Sequence, residues 1–165
     1  MLEENYIKTL GSAKMERVET WVLSGRTQIL QKISEMMSQA EKSVDIVTTE
    51  NGLILLYKVY NVFLSKLGKD GTEIRITAPI SSKNRNVARE LRYICRVRHL
   101  GISPSFLLLK ADNDQLLLAH SIPDNYEMSS DNDVGMFCRN PILCTLISRL
   151  FLNPPHPLPN CRIVE

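Results

Sequence analysis

The stretch "SVDIVTTENGLILLYKVYNVFLSKLGKDGTEIRITAPI", residues 43–80, constrains the fold more than any other part of the chain. Residues 43–48 read as a buried strand that ends in a polar corner, Thr48-Thr49-Glu50-Asn51. A helical apolar pattern follows over 52–67, with Leu53, Leu56, Tyr57, Tyr60, Leu64 and Leu67 on its core side. Leu55, Val59, Val62 and Phe63 widen that surface, so the helix is deeply buried or meets a partner. Gly68 to Gly71 stops it, and "TEIRITAPI" is the next strand. Strand, helix and strand in succession are the mark of an α/β domain.

The flanking segments extend the pattern. Residues 26–41 form an amphipathic helix with Ile29, Leu30, Ile33, Met36, Met37 and Ala40 on one face. Residues 83–98 read as a third helix with Val87, Leu91, Ile94 and Cys95 inward. "SFLLLKADNDQLLLAHSI" reads as a hairpin around Asp112-Asn113-Asp114, and residues 123–133 as a polar, acidic loop. "DVGMFC" is a last strand. Asn140 and Pro141 start a helix whose inner face is Ile142, Leu143, Leu146, Ile147, Leu150 and Phe151. Alternation early and a hairpin late imply an α/β sandwich with a mixed central sheet.

The ends differ in character. Leu2, Tyr6, Leu10, Met15, Val18 and Val22 make a narrow helical stripe, so residues 1–22 read as a linker or dimer-forming helix, with "TWVLSG" as a short extended piece. Residues 23–152 form the domain, and 153–165 an extended, proline-rich tail.

Composition excludes several classes. The 165 residues suit one domain with a proper core, and a net charge of +2 does not by itself argue for nucleic acid or membrane. The most apolar stretch is broken by Lys58, Asn61 and Lys66, so it does not read as a membrane span. "MLEENYIKTLGSAK" has no apolar signal core, and a cytoplasmic location is expected. The four cysteines form no C-x-x-C pair, and His99, His120 and His156 stand at no ligand spacing to them. No metal or cofactor is implied.

Three groups of residues are candidates for function. Thr48, Thr49, Glu50 and Asn51 stand at the carboxyl end of a strand, where α/β sheets collect ligands, with Thr77 to Pro79 ending the adjacent strand. Helix capping by Thr49 or Asn51 explains the same residues. Asp45 and Arg75 interrupt apolar strands and can pair, more as structure than as catalysis. Arg85, Arg89, Arg92 and Arg96 recur on one helical face, with Lys83 and Arg98 near, and suit phosphates or a solvated surface.

The order of segments also resembles a known family. "WVLSGRTQILQKISEMMSQAEKSVDIVTTENGLILLYK", "GTEIRITAPISSKNRNVARELR", "SFLLLKADNDQLLLA" and "NDVGMFCRNPILCTLISRLF" resemble the effector domain of archaeal TrmB-type transcriptional regulators over residues 18–152. The resemblance implies half of a phospholipase D fold that senses a small molecule, forms dimers and follows a winged-helix DNA-binding domain. Such a fold's chemistry would need a histidine, a lysine two residues on and an aspartate five after that. With Asp112 as the aspartate, those places hold Ser105 and Leu107, and Lys110 is out of register. The expectation is therefore a non-enzymatic domain.

The leading expectation is a ligand-sensing and dimerisation domain of a TrmB-like regulator. It would form a homodimer, bind a small-molecule effector and reach DNA only through an attached or partner winged helix, with no membrane role. Thr48, Thr49, Glu50 and Asn51 would contact the ligand, with Arg75 and Thr77 in support. The alternative is a nucleic-acid-binding module using Arg85, Arg89, Arg92 and Arg96. A hydrolase would have to rely on His120.

Overall fold

A computed structural model of the protein describes residues 18–152 and 161–163. The elements run β1 (Glu19–Ser24), α1 (Arg26–Gln39), β2 (Ser43–Val47), α2 (Glu50–Lys69), β3 (Glu73–Ala78), α3 (Arg85–Leu91) and β4 (Arg96–Leu100). The hairpin of β5 (Leu107–Ala111) and β6 (Gln115–His120) follows, then β7 (Val134–Arg139), α4 (Pro141–Ile147) and β8 (Cys161–Ile163). A π-helical turn, Ser148–Leu152, extends α4.

All eight strands form one sheet in the order β1-β7-β6-β5-β2-β3-β4-β8. Only β2–β3 and β3–β4 are parallel, so the sheet is mixed, as the segment order implied. Side chains alternate across the sheet. Val44 and Ile46 join the large core with Ile33, Met36, Leu53, Leu56 and Leu64 of α1 and α2. Val47, Leu108, Leu116 and Cys138 face the other way, onto Cys144, Leu143 and Ile147 of α4. The result is a three-layer sandwich.

Asp45 lies in register with Arg75 on one side and Lys110 on the other. Arg75 donates twice to Asp45, at 2.5 and 3.0 Å, and the Lys110 ammonium stands 3.5 Å from the same carboxylate. The expected pair is thus present and shares its acid with a second cation. Asp112, at the hairpin turn with φ 51°, accepts the N–H groups of Glu41, Lys42 and Ser43. It anchors the hairpin to the start of β2.

Several sequence expectations are corrected. The helix expected over 83–98 ends at Leu91, and Arg96–Leu100 is a strand of the sheet. A run of Arg, Val and His at alternating depth suits a strand edge, and the helical spacing of the arginines masked it. Residues 19–22 belong to β1, which pairs with β7, so no domain boundary falls at residue 22. On α4 and its π-helical extension, Cys144 is buried while Ile142, Leu146 and Leu150 are exposed, because the helix rests on the sheet by one narrow side. The stripe positions Leu2, Tyr6, Leu10 and Met15, the Phe151 side chain and tail residues 153–160 lie outside the described residues.

One side chain makes five of the hydrogen bonds that hold the loop 121–133. Arg26, at the start of α1, is 1% exposed. Its Nε and Nη2 donate to Asp133 at 2.7 and 3.1 Å. Nη1 donates to Asn125 Oδ1 at 2.5 Å and to the Glu127 carbonyl at 2.8 Å, and Nη2 donates to the Pro123 carbonyl at 2.9 Å. These bonds use all five guanidinium donors. Asp133 also accepts the Ile122 N–H at 2.7 Å.

Replacing Arg26 by Met leaves the Asp133 carboxylate buried without its partner. The expected loss is about 3–5 kcal/mol of unfolding free energy, read by urea denaturation at neutral pH. Burial pushes the Asp133 carboxyl up, but the Arg26 bonds and the Ile122 N–H outweigh it and hold it below its ordinary value. Its stabilisation is therefore complete above the unfolded value of about 3.9 and is lost as pH falls below that. The urea midpoint should hold steady from neutral pH to about pH 4 and then drop, and the drop should be smaller in Arg26→Met.

Candidate functional site

The polar corner at residues 48–51 lies where β2 ends and α2 begins, beside the amino end of β5. The Thr48 N–H donates to the Thr77 carbonyl at 3.0 Å and closes the strand. The Thr48 side chain is 0% exposed, and its hydroxyl has no hydrogen-bond partner among the described residues. Gly52 makes room for it: a Cβ there would stand 2.1 Å from Thr48 Oγ1. Thr49 is the N-cap of α2. Its Oγ1 accepts the Gly52 N–H at 2.8 Å and donates to Asp124 Oδ1 at 2.8 Å. Asn51 Nδ2 donates to the Asp124 carbonyl at 3.0 Å.

The capping reading holds for Thr49. Thr49 caps the helix and also carries the 121–133 loop. Thr48, Thr49, Gly52, Ser105, Phe106, Ser121 and Asp124 enclose a cavity of about 30 Å³, floored by Leu30, Leu55, Leu56 and Leu107. That space holds a single water-sized group. Its polar lining is hydroxyls and one carboxylate, with no basic side chain. It therefore suits the donor of a hydroxyl or amine rather than a phosphate.

The other expected residues stand elsewhere. Glu50 turns to the β3–α3 loop, where the Ser81 hydroxyl donates to its carboxylate and Lys83 stands 3.7 Å away. Thr77 gives the site only its carbonyl. Arg75 is engaged by Asp45, on the sheet face that carries α4. Arg85 and Arg89 lie on α3 and Arg92 is its C-cap, but Arg96 is on β4, paired with Glu73 at 3.4 Å. His120 lies on the open sheet face, and His99 accepts the Ile80 N–H at 3.0 Å.

Asp124, Ser121 and Arg26 were missed from sequence. The loop has no periodicity, and its acidic polar composition was the only signal. Desolvation of half-buried Cys95 and buried Cys144 pushes their thiols up to about 12 and about 11, so neither is a ready nucleophile.

A second hollow adjoins the cavity. Val22, Phe106, Leu118, His120, Val134 and Met136 line an open depression of about 400 Å³ on the sheet face that α4 leaves bare. Ser105 and Phe106 form a wall common to both.

Solved structures with this architecture decide the fold. NucT from Helicobacter pylori superposes with a TM-score of 0.67 at 12% identity, covering 90% of this chain and 100% of that one. The phospholipase D family member Nuc from Salmonella typhimurium gives 0.66 at 11% identity, covering 90% and 99%. The fold is that of the phospholipase D family. The archaeal chromatin protein TrmBL2, whose structure shows a novel mode of DNA binding, gives 0.61 at 14% identity over 92% of this chain. The chain spans 59% of the TrmBL2 chain. No protein-family model and no curated protein sequence matches.

The phospholipase D-like fold corrects one expectation. Ser105 and Leu107 in place of the histidine and lysine predict a non-enzymatic domain. Structures that share the fold include Nuc, NucT and a phosphatidylserine synthase from Haemophilus influenzae, the last at a TM-score of 0.64 and 12% identity. A fold shared with these proteins does not exclude an enzyme. No helix among the described residues is long and apolar enough to cross a membrane.

Thr48→Val tests the site. It removes the unpartnered hydroxyl at nearly constant shape, so the domain should gain about 1–3 kcal/mol in urea denaturation. A loss of stability would show that the hydroxyl is satisfied in solution.

Proposed function

We propose that this phospholipase D-like domain binds a small ligand and self-associates, as part of a regulator related to the TrmB type. The observation that carries the reading is the Thr48 hydroxyl. A buried polar group without a partner costs stability, and such costs are retained at sites that serve a ligand. The ligand would place a hydroxyl or amine between Thr48, Thr49 and Asp124, with its body against Phe106. Asn51 holds the Asp124 backbone, and Arg26 holds the rest of the loop.

Self-association would use the bare sheet face. Val22 is 79% exposed, and the strand register sets it beside Met136, which in turn faces Leu118. A contiguous apolar patch of this kind marks an interface. The surfaces expected from sequence fit less well: the apolar side chains of α2 are largely covered apart from Val62, and the 2–17 stripe lies outside the described residues. Because Phe106 serves both hollows, ligand and second copy would be coupled, each changing the affinity for the other. An attached winged helix would then carry the signal to DNA.

A thermal-shift screen against polyols, sugars, amino acids and sugar phosphates tests the ligand. A neutral or cationic hit at a hundred times its dissociation constant should stabilise by about 2.7 kcal/mol and be lost in Thr48→Val. A phosphorylated hit that survives Thr48→Val would overturn the assignment. Light scattering of the eluting protein should show a dimer that Met136→Glu reduces to a monomer.

A further inference from the structure

The phospholipase D-like domain carries a second surface, remote in chemistry from the hydroxyl-lined cavity. Arg85, Arg89 and Arg92 are spaced four and three residues apart, and Arg92, the C-cap of α3, keeps helical angles. They therefore form one exposed stripe along α3, beside the buried side that carries Ala88 and Leu91. Glu90 follows Arg89 in sequence but stands about 100° round the helix, off the stripe. Neither Arg85 nor Arg92 makes a side-chain hydrogen bond or ion pair among the described residues, and Arg89 has only a 3.4 Å contact with Asn86.

The adjoining turn adds an aromatic ring. Tyr93 directly follows the stripe and is 83% exposed, the most open large apolar side chain among the described residues. The turn packs close to the end of α2: a Cβ at Gly68 would stand 3.1 Å from the Ile94 carbonyl. Lys69, next in the chain, is exposed beside it.

A merely solvated helix face is usually built with acids at i,i+4, which stabilise it. Here like charges hold those positions, which costs stability, and the turn leaves a phenol ring in water. Both costs are recovered if a polyanion with flat, unstacked bases covers the surface. Phosphates would meet the arginines, and a base would stack on Tyr93.

We propose that Arg85, Arg89, Arg92 and Tyr93 bind single-stranded nucleic acid directly, in addition to any DNA held by a winged helix. Arg96, paired with Glu73 on β4, lies outside this surface. A duplex keeps its bases stacked inside, so the ring would give it nothing.

Fluorescence anisotropy with labelled oligothymidine of about 20 nucleotides, over a salt series from about 20 mM, tests the proposal. The full chain should bind, and affinity should fall with salt by about 0.7 in slope per phosphate neutralised. Arg89→Ala/Arg92→Ala should reduce that slope by about 1.4. Tyr93→Leu should weaken single-strand binding by about fivefold or more, with the slope unchanged and duplex affinity unaffected. All three residues are exposed, so the variants should keep the wild-type circular dichroism. Four results would overturn the proposal: no binding at the lowest salt, variants that bind like the wild type, equal loss of duplex binding in Tyr93→Leu, or arginine-dependent binding of phosphatidylserine vesicles alone.

Discussion

Arg26 donates all five of its N–H hydrogens into the loop between β6 and β7, and the wall of the site rests on these bonds more than on any other side chain's. The loop spans residues 121–133 without regular structure. Backbone carbonyls of such a segment need partners once they are buried. The planar guanidinium supplies several at once in a fixed fork, and the Asp133 carboxylate balances its charge. With the loop fixed, Asp124 comes to rest against Thr49, and Ser121 closes the cavity wall. Desolvating a charge this thoroughly is tolerable only because no donor is left over.

The Asp45 cluster works in the same way under the other face. One carboxylate between Arg75 and Lys110 ties β2 to both of its neighbours, where the parallel part of the sheet meets the antiparallel part. Removing either cation would leave the acid with the other. Removing Asp45 would bury a lysine that is 3% exposed. Against these satisfied groups, Thr48 stands out. Its hydroxyl is buried as deeply as any of them, and Gly52 lets it remain so. Among the described residues Arg26, Asp133, Asp45 and Lys110 are all paired, whereas the Thr48 hydroxyl at the cavity, like Arg139 Nε elsewhere, has no hydrogen-bond partner.

Much of the fold was legible in the sequence. The 3.6-residue period located α1 and α2. The Asp112-Asn113-Asp114 turn located the hairpin, and Asn140-Pro141 located the start of α4, where the Asn140 side chain accepts the N–H groups of Ile142 and Leu143. The corner at 48–51 was recognised as a strand end. Its division was not: Thr48 and Thr49 face the cavity, while Glu50 is drawn to Ser81 and Lys83 across the neighbouring crossover. The arginine series misled the reading at 92–98, because side chains at helical spacing look alike whether the helix continues or a turn intervenes.

What the sequence determined by itself is what acts over one or two turns of chain: apolar period, caps, the tight turn and the charges that interrupt strands. Order and type of elements follow from these, and so does an α/β sandwich. Only the tertiary structure decided the wall of the site and the edges of the sheet. The Arg26–Asp133 bonds join residues 107 apart, and the Thr49–Asp124 bond residues 75 apart. β1 reaches the sheet by pairing with β7, not with its own neighbours in sequence. Such contacts leave no periodic trace, because their partners are chosen by the folded surface and not by the local chain.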